Sequence, residues 1–480
     1  MDGTSHSVEL LLSVDRDGPH TLGAQIEEQL RAAIRTGALR PDAEVPSTRD
    51  LARQLGISRR VAVEAYAQLA AEGYLSIRQG ARPRVSQTVV GGPTAPGRET
   101  GAARHGLPPS PAPAVLGARA PRFDFRPSVP DVSAFPRAGW LKSLREAVNT
   151  LSDADLQYGD PTGDDILKRQ LADYLGRVRG VVADPDRVVI TNGFGQAENL
   201  LCAVLKARGA TRVGLEDPCN PESREIVARA GLEPVPVPVD ELGLRVDALG
   251  ALDAVIVTPA HQHPTGVVLA PERRTHLLQW LRDHDALAIE DDYDAEYRYD
   301  RAAVGALQGL DPDRVVYAGS ASKTLAPALR LGWMVVPAAL VDAVRHEKAL
   351  SDQTTARIEQ HAMADFIRRG ELDRHLRRMR LSYRARRDAT IAAVGRELPD
   401  ARIRGIAAGL HVTVTLARPV EEAALLEACA ARRVAISTIS DYVKGAFAAD
   451  PTLLLGYAQL HEAAIPAAVA ELAAAVRDAG

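Results

Sequence analysis

The chain has 480 residues, of which 46% are hydrophobic and 25% charged, with a formal net charge of −4. That length exceeds what one hydrophobic core organises, so two or three globular domains are expected. The acidic balance excludes a chain that coats nucleic acid over its whole surface, and no apolar run reaches the roughly eighteen residues of a membrane span.

The opening "MDGTSHSVELLLSVDRDG" has neither the basic start nor the long apolar stretch of a signal peptide. Cys202, Cys219 and Cys429 lie far apart without metal-ligand spacing, which suits a reducing, cytoplasmic location. In "TLGAQIEEQLRAAIRTGAL", Leu22, Ile26, Leu30 and Ile34 recur at helical spacing, and the helix should stop near Gly37. "PSTRDLARQLG" predicts a second helix with Ser47 or Thr48 as N-cap and Gly56 as its end. Ser58 then caps a third, "SRRVAVEAYAQLAAEG", and "YLSIRQGARPRVS" reads as two short strands around a glycine turn.

Two short helices joined by "LGIS" make a helix-turn-helix whose second helix can enter a DNA major groove. Leu51, Leu55, Val61, Val63, Tyr66 and Leu69 are expected to bury between the helices, and the strand pair would form a wing. Between 45 and 85 there are seven arginines (49, 53, 59, 60, 78, 82 and 84) against Asp50, Glu64 and Glu72, a local excess of four positive charges. A basic face inside an acidic protein is what phosphate contact needs. Ser47, Thr48, Arg49, Ser58, Arg59 and Arg60 at the helix starts, with Arg78, Gly80 and Arg82 in the wing, are therefore the candidate contacts to double-stranded DNA. The segment resembles the winged helix-turn-helix of GntR-type regulators across nearly all of 21–85.

Residues 87–121 are dense in Gly, Pro and Ala and read as a linker between a DNA-binding domain, 1–86, and a larger body. In the body, "RVVIT", "RVGLE", "AVIVTP", "LAIEDD", "RVVYAGS" and "GWMVVP" are apolar strands separated by helix-length segments. They predict an α/β domain, 122–345, with a mostly parallel sheet and helices on both faces. From 346 to 480 a long Arg-rich helix, "GLHVTVTL", "RVAIST", "LLLGYA" and a terminal helix predict a smaller α+β domain.

Four stretches of the body stand where α/β proteins bind ligands, at strand ends. "GSASKTLAPALRLGW" carries Lys323, "IEDDYD" carries Asp291 and Tyr293, "TNGFGQAEN" is a Gly-rich turn opening a helix, and "HQHPTG" follows a strand. One cofactor needs an amine, a carboxylate and an anion cradle together: pyridoxal phosphate. His261 and His263 lack a third ligand in the pattern, so no metal is assigned.

The body resembles fold-type I, aspartate-aminotransferase-like proteins over about 120–475, and the whole chain resembles MocR/GabR-type transcriptional regulators. The resemblance implies Lys323 as the Schiff-base lysine, Asp291 as partner of the pyridine nitrogen, and Tyr293, joined by His263, at the ring hydroxyl. It implies Phe194, Gly195, Ser320, Ser322 and Arg330 at the phosphate, and a homodimer in which Tyr158 reaches the partner subunit's site. Two positions depart from the aminotransferase pattern. Asn220 stands where an aromatic residue usually does, and "LLLGYA" has leucines where the substrate-carboxylate arginine usually lies. The expectation is a regulator that senses pyridoxal phosphate or a small amine-like effector and controls vitamin B6 or amino-acid genes. The alternative is an active aminotransferase with an appended DNA-binding module.

Overall fold

A computed structural model describes residues 12–16, 21–35, 38–40, 42–71, 74–77, 81–86, 120–299, 305–444 and 451–480. They fall in two compact units, one within Met1–Pro108 and one within Pro109–Gly480. Arg78, Gly80 and most of the expected linker lie outside the described residues.

The first unit holds α1 (Leu22–Arg35), α2 (Thr48–Leu55), α3 (Arg59–Ala71) and the antiparallel pair β1 (Leu75–Ser76) and β2 (Arg84–Val85). Ser47 is the N-cap of α2: its side chain accepts from the Asp50 amide, and Gly56 ends the helix in the left-handed conformation. Thr48 is therefore the first helical residue, not the cap. The Ser58 hydroxyl accepts from the Val61 amide at the start of α3. Ile26, Leu30 and Ile34 of α1 pack with Leu51, Ala62, Ala65, Tyr66, Leu69, Leu75 and Val85. Val63 departs from expectation: it is 44% exposed, because the buried stripe of α3 runs through 62, 65, 66 and 69.

The second unit opens with β3 (Phe123–Asp124), α4 (Arg137–Thr150) and α5 (Asp165–Arg179). Strands and helices then alternate: β4 (Val188–Thr191), α6 (Phe194–Ala207), β5 (Arg212–Asp217), α7 (Pro221–Arg229), β6 (Glu233–Asp240), β7 (Gly243–Leu244), β8 (Ala254–Val257), α8 (Pro271–Asp283), β9 (Leu287–Asp292), β10 (Val315–Ser320), the short α9 (Ala321–Thr324) and β11 (Gly332–Val335). Eight of these strands make one sheet in the order β4-β11-β10-β9-β8-β5-β6-β7. The central pairs are parallel, while β11 runs antiparallel to both its neighbours and β7 to β6. Alternate residues of the strands feed separate cores, with Val189, Val213, Ile256 and Met334 on one face and Val188, Val255, Val315 and Val335 on the other. β6 escaped the sequence pattern because "EPVPVPVD" places proline at every second position. Among the described residues its neighbours are β5 and the two-residue β7, and proline is tolerated at such an edge.

Helices α10 (Val341–Asp352), α11 (Arg357–Arg368) and α12 (Glu371–Glu397) follow. The C-terminal part adds β12 (Arg402–Arg404), β13 (His411–Thr415), α13 (Glu422–Ala431), β14 (Val434–Ala435), β15 (Ser437–Thr438), β16 (Thr452–Gly456) and α14 (Ile465–Ala479). A four-stranded sheet forms in the order β12-β13-β16-β15, and β14 pairs with β3 from the start of the unit. The division expected at 345/346 thus falls inside α10, and the chain just after the linker pairs with the C-terminal part.

The run "EDDY" at the end of β9 is sorted by strand alternation. Asp292 is buried, accepting from Arg179 Nε at 2.6 Å and from the Tyr317 hydroxyl at 2.8 Å, with Arg179 itself buried at the end of α5. Glu290 accepts the backbone amides of Leu307 and Gln308 at 2.9 Å each. Arg179→Leu leaves Asp292 buried without its cation and is expected to lower unfolding free energy by about 3–5 kcal/mol. Tyr317→Phe removes one hydrogen bond and should cost about 1 kcal/mol. Urea denaturation of the full chain checks both, and equal losses would contradict the assignment of Asp292 to Arg179.

Candidate functional site

The register of the sheet gathers the expected cofactor residues along one edge. Ser320, at the end of β10, pairs with Gly332 at the start of β11, and Gly332 pairs with Thr191 at the end of β4. One strand over, Ala318 and Gly319 pair with Asp291 and Asp292. Lys323 follows on α9, and Tyr293 follows β9 directly.

On the β4 side, Gly193 caps α6 with φ 98°, so the amides of Phe194 and Gly195 open the helix. A Cβ on Gly332 would sit 2.7 Å from Gly193 Cα and 3.0 Å from Thr191 Oγ1, so glycine is required for β11 to lie this close. Arg330, just before β11, adopts φ 49° and donates to the Asn192 carbonyl. Its guanidinium lies 3.4 Å from where a Gly193 Cβ would be. Ser320 caps α9: its hydroxyl accepts from the Ser322 amide at 3.0 Å and donates to the Ser322 hydroxyl at 2.8 Å. Helix amides, two hydroxyls and an exposed guanidinium thus converge, which is the donor set an anion requires.

Lys323 is half-buried, and burial lowers its amine pKa, with Asp291 and Asp294 opposing. Asp291 stands on the opposite face of β9 from Asp292. Burial, reinforced by the charges of Glu198 and Asp292, pushes its carboxyl well above the ordinary range. A carboxyl held towards its neutral form is returned to the anion by a protonated ring nitrogen. The residues present fit pyridoxal phosphate in all three respects: amine, acid and anion cradle.

On the third side, Tyr293 meets His261 of the "HQHPTG" stretch together with Asp294, which the sequence did not single out. Its hydroxyl is 2.9 Å from His261 Nδ1, and Asp294 Oδ2 is 3.0 Å from the same nitrogen. Gln262, fully buried, donates to the carbonyls of Pro218 and His263 and to Glu216, fixing the "HQHPTG" loop. His263 faces Tyr293, His411 and Tyr442 with ring centroids 5.6, 5.5 and 5.1 Å away. Burial, with His411 and Lys323 nearby, lowers the His263 pKa well below the usual imidazole value, and burial brings His411 down to about 4. Glu198, on α6, is buried, and burial raises its carboxyl to about 7. An acid on the apolar stripe of "AENLLCAVL" was its signal in the sequence; His411 and Tyr442 had none, because they arrive from the C-terminal part.

Both departures from the aminotransferase pattern have structural roles. Asn220 is the N-cap of α7, its side chain accepting from the Glu222 amide. Leu454 of β16 pairs with Thr413 and Ser437 and is fully buried on the face that carries His411, opposite Leu453 and Leu455. Tyr158 is 84% exposed, on a turn held by Arg357, which donates to the carbonyl of Gln157 at 3.2 Å and pairs with Asp155 and Asp164.

In the first unit, Arg49, Arg59 and Arg60 are exposed at the starts of α2 and α3, and Val63 stands one turn further along the Arg59–Arg60 face. Arg60 is paired with Glu64 at 2.7 Å. Arg82 lies 3.9 Å from Glu44, and Arg84 pairs with Asp42 and Glu44. No group of three or more potential metal ligands occurs among the described residues, and no described helix is long and apolar enough to cross a membrane.

Comparison with known proteins matches residues 22–85 to bacterial regulatory proteins of the gntR family and residues 134–463 to aminotransferase class I and II. The chain is 31% identical to the HTH-type pyridoxine biosynthesis transcriptional regulator PdxR of Corynebacterium glutamicum, over 98% of this chain and 99% of that one. It is 34% identical to a probable rhizopine catabolism regulatory protein, MocR, of Rhizobium meliloti, over 90% of this chain and 89% of that one. Among solved structures, the Pyrococcus horikoshii kynurenine aminotransferase superposes with a TM-score of 0.67 at 25% identity, covering 74% of this chain and 90% of that one. The chain belongs to the MocR-type family of helix-turn-helix transcriptional regulators, in which a GntR-family DNA-binding module and an aminotransferase class I and II domain share one polypeptide.

Proposed function

We propose that the body of this regulator holds pyridoxal phosphate covalently through Lys323 and that its occupancy controls DNA binding by the winged helix. The observation that carries the proposal is one sheet edge with a depressed, half-buried lysine, a carboxyl pushed towards neutrality and an anion cradle. Pyridoxal phosphate, when bound, supplies an aldehyde that condenses with amines and a ring that withdraws electrons from them. Lys323 offers the amine, and Asp291 takes the charge of the ring nitrogen. Tyr293 and His263 stand at the ring oxygen. Arg330, Ser320, Ser322 and the Phe194 and Gly195 amides hold the phosphate.

Sensing is favoured over turnover by Leu454. A buried leucine cannot make the bidentate contact that an arginine gives a substrate carboxylate, so simple α-amino acids lose their anchor. The effector is read as pyridoxal phosphate or a related small amine-reactive ligand. The name of the Corynebacterium relative, a pyridoxine biosynthesis regulator, supports vitamin B6 supply as the controlled process. The organisation is a DNA reader over 1–86, a linker over 87–121 and an aminotransferase-like body over 122–480 in the cytoplasm. Tyr158, exposed on its Arg357-held turn, is offered to a second copy, so the working unit is a homodimer. Sedimentation of the full chain at twice 51.4 kDa would support that, and a monomer would oppose it.

DNA contact is assigned to Ser47, Thr48, Arg49, Ser58, Arg59, Arg60 and Arg82, with Arg78 and Gly80 of the wing.

Purified protein mixed with pyridoxal phosphate should show a visible band that survives dialysis and is absent from Lys323→Ala, while that variant retains its DNA affinity in the absence of cofactor. An unchanged band in Lys323→Ala would remove the assignment. Replacing Arg59 and Arg60 together by Ala should weaken DNA binding and reduce the slope of log affinity against log salt by about 1–2. Titration of a promoter fragment at several salt concentrations checks this, and an unaltered slope would place the DNA face elsewhere.

A further inference from the structure

The cluster Asp294–His261–Tyr293 is fixed more tightly than a ligand contact alone requires. Both Asp294 oxygens face His261 Nδ1, at 3.2 and 3.0 Å, and the Tyr293 hydroxyl oxygen is 2.9 Å from that nitrogen. His261 and Asp294 are buried. Gly409 seals them: a Cβ there would run into His261 and come within 2.7 Å of Asp294 Oδ2. Its carbonyl is held by the hydroxyls of Tyr299 at 2.5 Å and Tyr457 at 2.7 Å.

One nitrogen with oxygen neighbours from two residues forces a choice of hydrogen-bond direction. A carboxylate only accepts, so Nδ1 facing both Asp294 oxygens carries the hydrogen. The Tyr293 oxygen then shares that hydrogen as an acceptor, and the phenol's own hydrogen is free to be donated elsewhere. Were Nδ1 bare, it would itself claim the phenol hydrogen.

We propose that His261, oriented by Asp294, is a positioning residue that keeps the Tyr293 hydroxyl a hydrogen-bond donor towards the ring oxygen of the bound cofactor. The proposal rests on the pyridoxal phosphate assignment above. Accepting from Nδ1–H also polarises the phenol and makes it a stronger donor. The other charged or titratable groups around these residues are Asp291, Glu216 and Tyr457 near Tyr293, and His263 and His411 beside His261. Glu222 acts on Lys323 in the same sense as Asp291 and Asp294, and Arg330 in the opposite sense.

The test is the pH midpoint of the visible band of cofactor-loaded protein. Donation to the ring oxygen holds negative charge there and leaves the linkage nitrogen less basic. Losing the donor therefore raises the midpoint. Removing the Asp294 charge without any relay acts oppositely, because that charge favours the protonated nitrogen. Asp294→Asn is thus expected to raise the midpoint by roughly half a pH unit or more, towards the value of Tyr293→Phe, and to give no further rise in the Tyr293→Phe background, where only its opposing charge effect remains. A fall or no change in Asp294→Asn alone, or an additive rise in the double variant, overturns the proposal. Should Asp294→Asn fail to fold, His261 carries the test. His261→Asn keeps a donor near the Nδ1 position and should titrate like the parent, whereas His261→Gln, which moves it, should shift upward. Equal midpoints for the two overturn the proposal. A parent protein with no visible band removes the cofactor assignment and this proposal together, whereas a band with unmoved variants removes this proposal alone.

Discussion

Strand alternation at the end of β9 is the constraint on which the body's chemistry depends. Within 290–294 the chain carries four carboxyls, and their mutual repulsion in a buried setting would be severe if they shared one environment. Instead Glu290 accepts two backbone amides, Asp292 is neutralised by Arg179 and hydrogen-bonded by Tyr317, and Asp294 turns to His261. Only Asp291 is left facing the edge of the sheet, beside Lys323. Burial holds that carboxyl towards its neutral form despite Lys323, and that is the property a cationic ligand exploits.

The anion side depends on a second constraint, the close approach of two backbones. Gly332 lets the start of β11 touch Gly193, and this contact brings Arg330, in a left-handed conformation rare for a side-chain-bearing residue, to the first turn of α6. The same sheet edge in an aminotransferase serves turnover. Here Asn220 is used to cap α7 and Leu454 is buried in β16, while His263, His411 and Tyr442 form a ring cluster beside Tyr293. Pushed to their neutral forms, these histidines offer hydrogen bonds without a fixed positive charge, which suits a sensor that recognises the cofactor more than an amino-acid substrate.

Much of this was legible in the sequence, for reasons that are local. Caps, glycine stops and apolar spacing gave the helices of the winged domain, and apolar runs gave six strands of the eight-stranded sheet. Lys323, Asp291 and Tyr293 stood out because each lies at or just beyond the end of a strand. What escaped depends on tertiary contact. β6 was hidden by prolines that only an edge position permits, and Val63 looked like core until the phase of α3 placed it outward. Thr48 lost the cap to Ser47 by one residue. The partners of the site, His261 with Asp294, Glu198, His411 and Tyr442, come from five separate segments, and no spacing in the chain announces that they meet. Arg179 is the sharpest case: an arginine at the end of a helix reads as solvated, yet it is buried against Asp292 across the sheet.

The central claim is that occupancy of the body is transmitted to the DNA-binding module. A ligand shifts such an equilibrium only by its unequal affinity for the two states, so the coupling must appear in the DNA affinity itself. The most direct measurement is footprinting of the full chain on its own upstream region, with and without pyridoxal phosphate. A protected site whose half-saturation moves several-fold on adding the cofactor, and does not move in Lys323→Ala, is the predicted result. Protection that is identical with and without the cofactor would contradict the account.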